Sequence, residues 1–493
     1  MLNFKKILAV CLCALLCFGA LSGCGEKYKE AIIYFELLEP PKTLDPQTAQ
    51  SDSELLIVRN IYEGLMREDS SGNIMGGVSE SYSYENLTYT FKLRDDAVWS
   101  NGEKLTAYDF EYGLRRAVDP KIKAPFASRL FSIKNAEQIA NGSADKSTLG
   151  VKAIDDTTLV ITLCKKDKNF LKTLTTSVAM PCNEKFFEES IGKYGLDKDC
   201  IISNGSYRIS KWNKEEFGIR IYKNEEYTGV FEAQNAAVFI SCMDDEKQVS
   251  RLNDGDNDMA YISCGEVSSA KSGGFAIQSV QNICWLLKIS PEFNGEVRRA
   301  FALAFDNSVY SDALIDGFAT AKSIYPQILG ASADNVGITD YNIETAKSVM
   351  SEQIAEMQDK KFPQSTLYYY DTDGSKELAT AIVGHWQQNL STFINIEPSV
   401  NLPVLQNELT ENTVPFALFP VSAKSDSFSE YAKNFAAISK ANTPHELQEE
   451  ILKDNIIIPV AYQSTNIVYI PSLENVIVED DNGYIDFSYI IKR

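Results

Sequence analysis

Runs of alternating apolar and polar residues interleave with runs of helical period along nearly the whole chain, which restricts it to mixed α/β folds. Leu87, Tyr89, Phe91 and Leu93 alternate with Thr88, Thr90 and Lys92, the pattern of a strand with one face buried. Ser100-Asn101-Gly102 has turn chemistry, and the spacing of Thr106 and Asp109 marks a helix start whose carboxylate takes unpaired N–H groups. Phe110, Leu114 and Ala117 share one face of that helix, Glu111 and Arg115 are spaced i,i+4, and Asp119-Pro120 ends it. Each polar residue of this stretch, which looks catalytic at first sight, therefore has a structural task. Residues 151–163 read as a hairpin turning at Asp155-Asp156, and 206–224 as two strands joined through Asn213-Lys214-Glu215-Glu216. Val297, Phe301 and Phe305 predict a helix that breaks at Asp306-Asn307, with a second helix ending near Gly317. Further on, 344–351 reads as helix, 366–370 as strand, 375–390 as helix with Leu378, Ile382, Trp386 and Leu390 on one side, and 393–397 as strand. There is no internal repeat and no long low-complexity linker, so lobes of such a chain share connections.

The N-terminus points to export. Lys5 and Lys6 precede an apolar run from Ile7 to Leu21 that is short for a bilayer span and has the flanks of a secretory signal. The run ends in Leu21-Ser22-Gly23-Cys24, which resembles the bacterial lipobox; residues 1–23 are expected to be a signal peptide, with Cys24 lipidated and 24–30 a tether. No later segment approaches ~20 continuous apolar residues, and 24–493 suffices for about three lobes at ~150 residues each.

Composition and motif content exclude several functions. A net charge of −21 repels nucleic acid and anionic lipid. Hydrophobic residues at 44% suffice for large cores. Beyond Cys24 and the three signal cysteines lie Cys164, Cys182, Cys200, Cys242, Cys264 and Cys284, with no CxxC pair, which argues against zinc; their pairing stays open. The only histidines are His385 and His445, which nearly excludes histidine catalysis, and His385 beside Trp386 reads as structural. Asp254, Asp256 and Asp258 imitate a calcium loop, but Met259 stands where glycine is needed and Gly265 where a bidentate glutamate is needed. Phosphate-loop, dinucleotide, zincin and nucleophile-elbow motifs are absent. A carboxylate pair could still serve a hydrolase, though no pair stands out.

Eight segments together resemble the oligopeptide-binding receptors of ABC importers, solute-binding protein family 5. They are "LDPQTAQS" (44–51), "IYEGL" (61–65), "WSNGEKLTAYDFEYGLRRAVDP" (99–120), "LGVKAIDDTTLVITL" (149–163), "SNGSYRISKW" (203–212), "VRRAFALAFDNSVY" (297–310), "KELATAIVGHWQQNL" (376–390) and "IIIPVAY" (456–462). The resemblance implies a periplasmic-binding-protein-like type II fold, mixed α+β, with two main lobes and an accessory one. Lobe I would comprise 27–62, 182–282 and 463–493, lobe II 63–181 and lobe III 283–462, with hinge crossings near 280–286 and 460–466. It further implies a monomeric, non-enzymatic receptor without cofactor or metal, held on the outer face of the membrane by Cys24. Its partners would be a peptide or peptide-like ligand and an ABC permease with its ATPase subunits, and no nucleic acid. A transport-independent sensor of the same fold, or an exported hydrolase, are the alternatives.

By the same resemblance the peptide would lie extended between strand edges, at Gln50, Ser51 and Asp52 from lobe I and at Phe419 to Ser425 from lobe III, including Ser422 and Lys424. Phe126 would stand as an aromatic wall where relatives have tyrosine. The pattern departs at the residue that receives a peptide's amine: Lys424 stands about where an acid is usual, Leu409 and Leu418 align with arginines of some relatives, and the loop after 428 is short. An enclosed ammonium needs an anion. A ligand carboxylate is the expected partner of Lys424, with Asp52 or Asp426 as alternatives from the protein.

Overall fold

The computed structural model describes residues 31–214, 217–243, 245, 247–306, 314–330, 337–372, 374–424, 427–441, 443–478 and 484–492. The segment expected to be a signal peptide, with Cys24, the connection expected at 215–216, most of the second helix expected after Asp306, and Ser425 and Asp426 lie outside the described residues.

One mixed sheet runs through the molecule. From one edge its strands are Ile394–Ser399, Ser365–Tyr370, Phe416–Ser422, Ala276–Ile289, Ile457–Tyr469, Met259–Ile262, Ile32–Glu36, Ala237–Ser241, Gly218–Lys223 and Tyr207–Asn213, with Phe318–Thr320 paired onto Ile457–Tyr469. The two central strands are the long ones, of 14 and 13 residues, and they are antiparallel to each other. A second sheet of four strands, in the order Ser79–Glu85, Thr88–Leu93, Thr158–Thr162 and Val151–Asp155, forms beside it. In Thr88–Leu93 the expected alternation holds, with Tyr89, Phe91 and Leu93 buried and their partners Leu159 and Ile161 buried opposite. The hairpin, the strand pair at 207–223 and the helix Ser375–Leu390 stand where period and turn chemistry put them.

Apolar side chains gather into separate cores toward the two ends of the long strands. One core takes residues from 33–261 together with Val280 and 467–490, and includes the inner face of the four-stranded sheet. Toward the other end, one cluster is built around Trp285, Phe301, Trp386 and Phe416, and another around Tyr325, Phe419 and Tyr431. The helix Gly295–Leu303 begins at Asn294, whose side chain accepts from the Val297 N–H, and it stops two residues short of the buried Phe305.

The polar stretch at 99–120 is scaffold. Asp109 accepts from the Thr106 N–H (2.7 Å) and hydroxyl (3.0 Å), and Glu111 accepts from the Ala153 N–H (2.9 Å) and pairs with Arg115 (2.5 Å). Arg116, buried, reaches Asp45 and Gln47 at 2.6–2.7 Å and stacks 4.4 Å over Phe187, so the "LDP" segment and this helix hold each other. Cys164, Cys182, Cys200 and Cys284 form no disulfide. Among the described residues no helix is long and apolar enough to cross a membrane.

Candidate functional site

The two long strands carry the chain from one set of cores to the other, and both are irregular at the crossing. Their register slips between Gln281 and Ile283, leaving Asn282 unpaired in the ladder. Asn282 is nonetheless buried and satisfied: its carbonyl accepts from the Ala423 N–H (2.8 Å) and its side-chain oxygen from the Thr465 hydroxyl (3.0 Å). A bulge of this kind bends the strand at one unpaired residue while the pairing on either side of it continues.

Beside the crossing lies a cleft of two adjoining cavities. One, of about 700 Å³, is lined at the strands by Ser279, Val280 and Gln281 and across from them by 68–72, Gln327 and Val478. The other, of about 670 Å³, lies between 128–180 and the segment from Lys424 to Lys433; Glu68 and Lys172 line both. These volumes are in the range of small-molecule and peptide sites. Six cations line the second cavity (Arg59, Arg129, Lys165, Lys172, Lys424, Lys433) against four carboxylates (Glu68, Glu137, Asp167, Glu430), which reverses the acidic balance of the chain as a whole. Among the described residues no cluster of histidine, cysteine, aspartate and glutamate could hold a metal ion.

Gln50, Ser51 and Asp52 form a helix start, where a strand edge was expected. Ser51 is the N-cap of Asp52–Ile61, and the Glu54 carboxylate takes the N–H groups of Gln50 (2.8 Å) and Ser51 (3.1 Å) as well as those of Lys42 and Thr43. Those two N–H groups are thus committed within the protein, and Asp52 is the member of the trio whose carboxylate pairs with Lys424 of the cavity lining. Phe419 is fully buried in the core, so its side chain is packing. Leu418 is likewise fully buried, and Leu409 packs against the Phe419 cluster. Ser422 pairs with Ile283 at the crossing. The strand Phe416–Ser422 extends past its parallel neighbour, which pairs only with Phe416 to Leu418, and the Pro420 carbonyl beyond accepts from Gln406 (3.0 Å). Phe126 is buried, its ring 4.5 Å beneath the Arg129 guanidinium.

Lys424 meets Asp52 at 2.7 Å, the protein carboxylate that stood as the alternative to a ligand carboxylate. Both side chains are part exposed, at 29% and 43%, so the ammonium is not enclosed and a protein carboxylate within reach suffices. The Tyr484 hydroxyl lies 3.5 Å from the same Asp52 oxygen. Desolvation, and next the Asp52 charge, raise the nearby Glu39 carboxyl above its ordinary range, while the Lys424 ammonium pulls it down.

Sequence reasoning missed the strongest contact of the cleft. Arg129 binds Glu430 through Nε and Nη2, both at 2.7 Å, and the same Nη2 donates to the Lys424 carbonyl (3.3 Å); Lys433 donates to the Ser128 hydroxyl. Arg129 and Glu430 are 301 residues apart, so no local pattern could have linked them.

The comparisons agree with this architecture. The family model for bacterial extracellular solute-binding proteins, family 5 Middle, matches residues 73–442. The oligopeptide-binding protein OppA of Bacillus subtilis is 25% identical over 421 residues, covering 81% of this chain and 76% of that protein. Among solved structures, the substrate-binding domain of an oligopeptide ABC transporter from Bacillus anthracis superposes with a TM-score of 0.75 at 21% identity, covering 94% of this chain and all of that one. Listeria monocytogenes OppA bound to peptide superposes with a TM-score of 0.74 at 21% identity, covering 94% and 99%. The mixed α/β architecture is that of the type II binding-protein fold, and the chain belongs to the bacterial extracellular solute-binding proteins of family 5.

Proposed function

We propose that this protein is an exported receptor that captures peptides between two lobes and delivers them to an ABC importer. In this reading Cys24 carries the lipid that keeps the receptor beside its permease and ATPase subunits on the outer face of the membrane, and the protein catalyses no reaction. Lobe I is 27–62, 182–282 and 463–493, the accessory lobe II is 63–181, and lobe III is 283–462. The single observation that carries the reading is the pair of long strands bulged at Asn282 beside the two-part cleft, a hinge around which lobes close on a ligand. Relatives described as oligopeptide-binding proteins support the peptide class. The residues assigned to the ligand side of the cleft are Asp52, Arg129, Lys424, Glu430 and Lys433, with Ser422 at the crossing.

The test is mass spectrometry of small molecules released from residues 25–493 purified without denaturant. Recovery of a narrow set of peptides supports the reading. Recovery of a non-peptide solute in stoichiometric amount overturns the peptide class, and turnover of an ester or glycan overturns the receptor.

A further inference from the structure

Among the described residues, three side-chain pairs join the two sides of the second cavity directly. Asp52, Ser128 and Arg129 stand on elements whose apolar residues, Leu55 and Leu130, belong to the first core. Lys424, Glu430 and Lys433 flank Ala423, Tyr431 and Phe435 of the opposite core. The pairs Asp52–Lys424, Arg129–Glu430 and Ser128–Lys433 are 372, 301 and 305 residues apart, so each connects two bodies and none is a local contact.

They are not equal in strength. Arg129 and Glu430 form a two-point guanidinium–carboxylate pair with side chains only 15% and 12% exposed, and the Phe126 ring braces the guanidinium. Shielded bidentate pairs are the stronger charge-assisted class. The Lys424–Asp52 pair is more open to water and more easily screened. The two are coupled, because Arg129 also holds the Lys424 carbonyl and so fixes the backbone from which the ammonium reaches Asp52.

We propose that Arg129, Glu430, Lys424 and Asp52 form a clasp that holds the cleft shut through contacts of the chain with itself. The proposal rests on the hinge reading above. Its consequence is that ligand enters only while the clasp is open, so the apparent affinity is reduced by the open fraction, and the charges of the clasp set that fraction. Arg129 acts here as a positioning residue: it bolts one side to the other and orients Lys424.

The test is small-angle X-ray scattering of the ligand-stripped full mature chain, at low and high salt. The proteins compared are the wild type, Arg129→Met, Glu430→Gln, and the charge-exchanged double variant Arg129→Glu with Glu430→Arg. A compact chain of this size has a radius of gyration of ~23 Å. The wild type should be the most compact at low salt and expand by a few per cent as salt is raised. Both single variants should be expanded at low salt, and the exchanged pair should return toward the wild-type value. Because the exchanged pair can misfold, Lys424→Met and Asp52→Asn are measured beside it, each with a smaller expansion in the same direction. Single variants as compact as the wild type, in a protein that still expands with salt, overturn the clasp and leave the hinge standing. No expansion in any protein under any condition overturns both. Expansion with rescue, in a protein that co-purifies with a non-peptide solute in stoichiometric amount, supports the clasp and overturns the peptide reading alone.

Discussion

Arg116 closes on Asp45 through both terminal nitrogens, at 2.7 and 2.5 Å, and adds Gln47 at 2.6 Å. The pair is buried, with side chains 6% and 5% exposed, so each charge depends on the other for its solvation. Arg116→Met should cost about 3–5 kcal/mol, because it strands a carboxylate in the core. Arg116→Lys should recover only part of this, since a point charge cannot serve both Asp45 oxygens and Gln47. Urea unfolding of the three proteins measures it, and equal midpoints would contradict the assignment.

Gly113 decides a conflict between two general effects. In an open helix, replacing glycine by alanine gains up to ~1 kcal/mol. Here a Cβ would meet the Met180 carbonyl oxygen at 2.6 Å and the Cys182 nitrogen at 3.1 Å, both of them backbone. Backbone cannot swing aside, so overpacking should win and Gly113→Ala should lose ~1–3 kcal/mol. A thermal midpoint unchanged or raised would show that the helix can back away from 180–182.

Asp109 makes a pH prediction. Burial, opposed by its bonds to Thr106, raises its carboxyl from the ordinary 3.8 to about 6. The folded state therefore holds this proton more tightly than the unfolded one. The stabilisation that protonation confers is complete below about pH 4 and is lost as pH rises through about 6, a loss on the order of 3 kcal/mol at ~1.4 kcal/mol per unit. Asp109→Asn removes the titration and keeps an acceptor for the Thr106 N–H. Wild-type stability minus that of Asp109→Asn should fall between pH 4 and 6.5, and a flat difference would contradict the raised value.

The local grammar of the fold was legible because it is carried by short spacings. Tyr89, Phe91 and Leu93 announce their strand within six residues, and Asp119-Pro120 announces the end of a helix in two. The start of Asp52–Ile61 was equally readable, since Ser51 and Glu54 have the capping spacing, yet the family pattern suggested an edge there. Phe305 kept the helical period of Val297 and Phe301 although the helix ends at Leu303, because a buried residue just past a helix satisfies the same spacing. The cleft was hidden for the opposite reason. Glu430 sits on a four-residue helical turn and Arg129 on a short 3-10 turn, and neither has a period or a motif that points across 301 residues.

Lys424 and Asp52 also make a prediction about which ligand ends the cleft prefers. Paired at 2.7 Å, the two charges cancel, so the wild type should treat free-amine, N-acetylated and C-terminally amidated forms of one probe peptide, tetra-alanine, nearly alike. Lys424→Met leaves the Asp52 carboxylate without its ammonium and with the Tyr484 hydroxyl at 3.5 Å, so that it can take a ligand ammonium. A charge-assisted bond gained in this way contributes about 1.5–3 kcal/mol, so the free-amine form should gain roughly ten- to a hundredfold over the acetylated one. Asp52→Asn does the reverse: it removes the carboxylate that pairs with the Lys424 ammonium, and the free-carboxylate form should gain over the amide by a similar factor. Both substitutions are at part-exposed positions, so stability should change by less than ~1 kcal/mol, and a shift in preference cannot be laid to unfolding. Isothermal titration of the three forms against the three proteins reads the result. If Lys424→Met and Asp52→Asn shift the preference in the same direction, the two side chains do not face the same ligand end, and their pairing says nothing about selectivity.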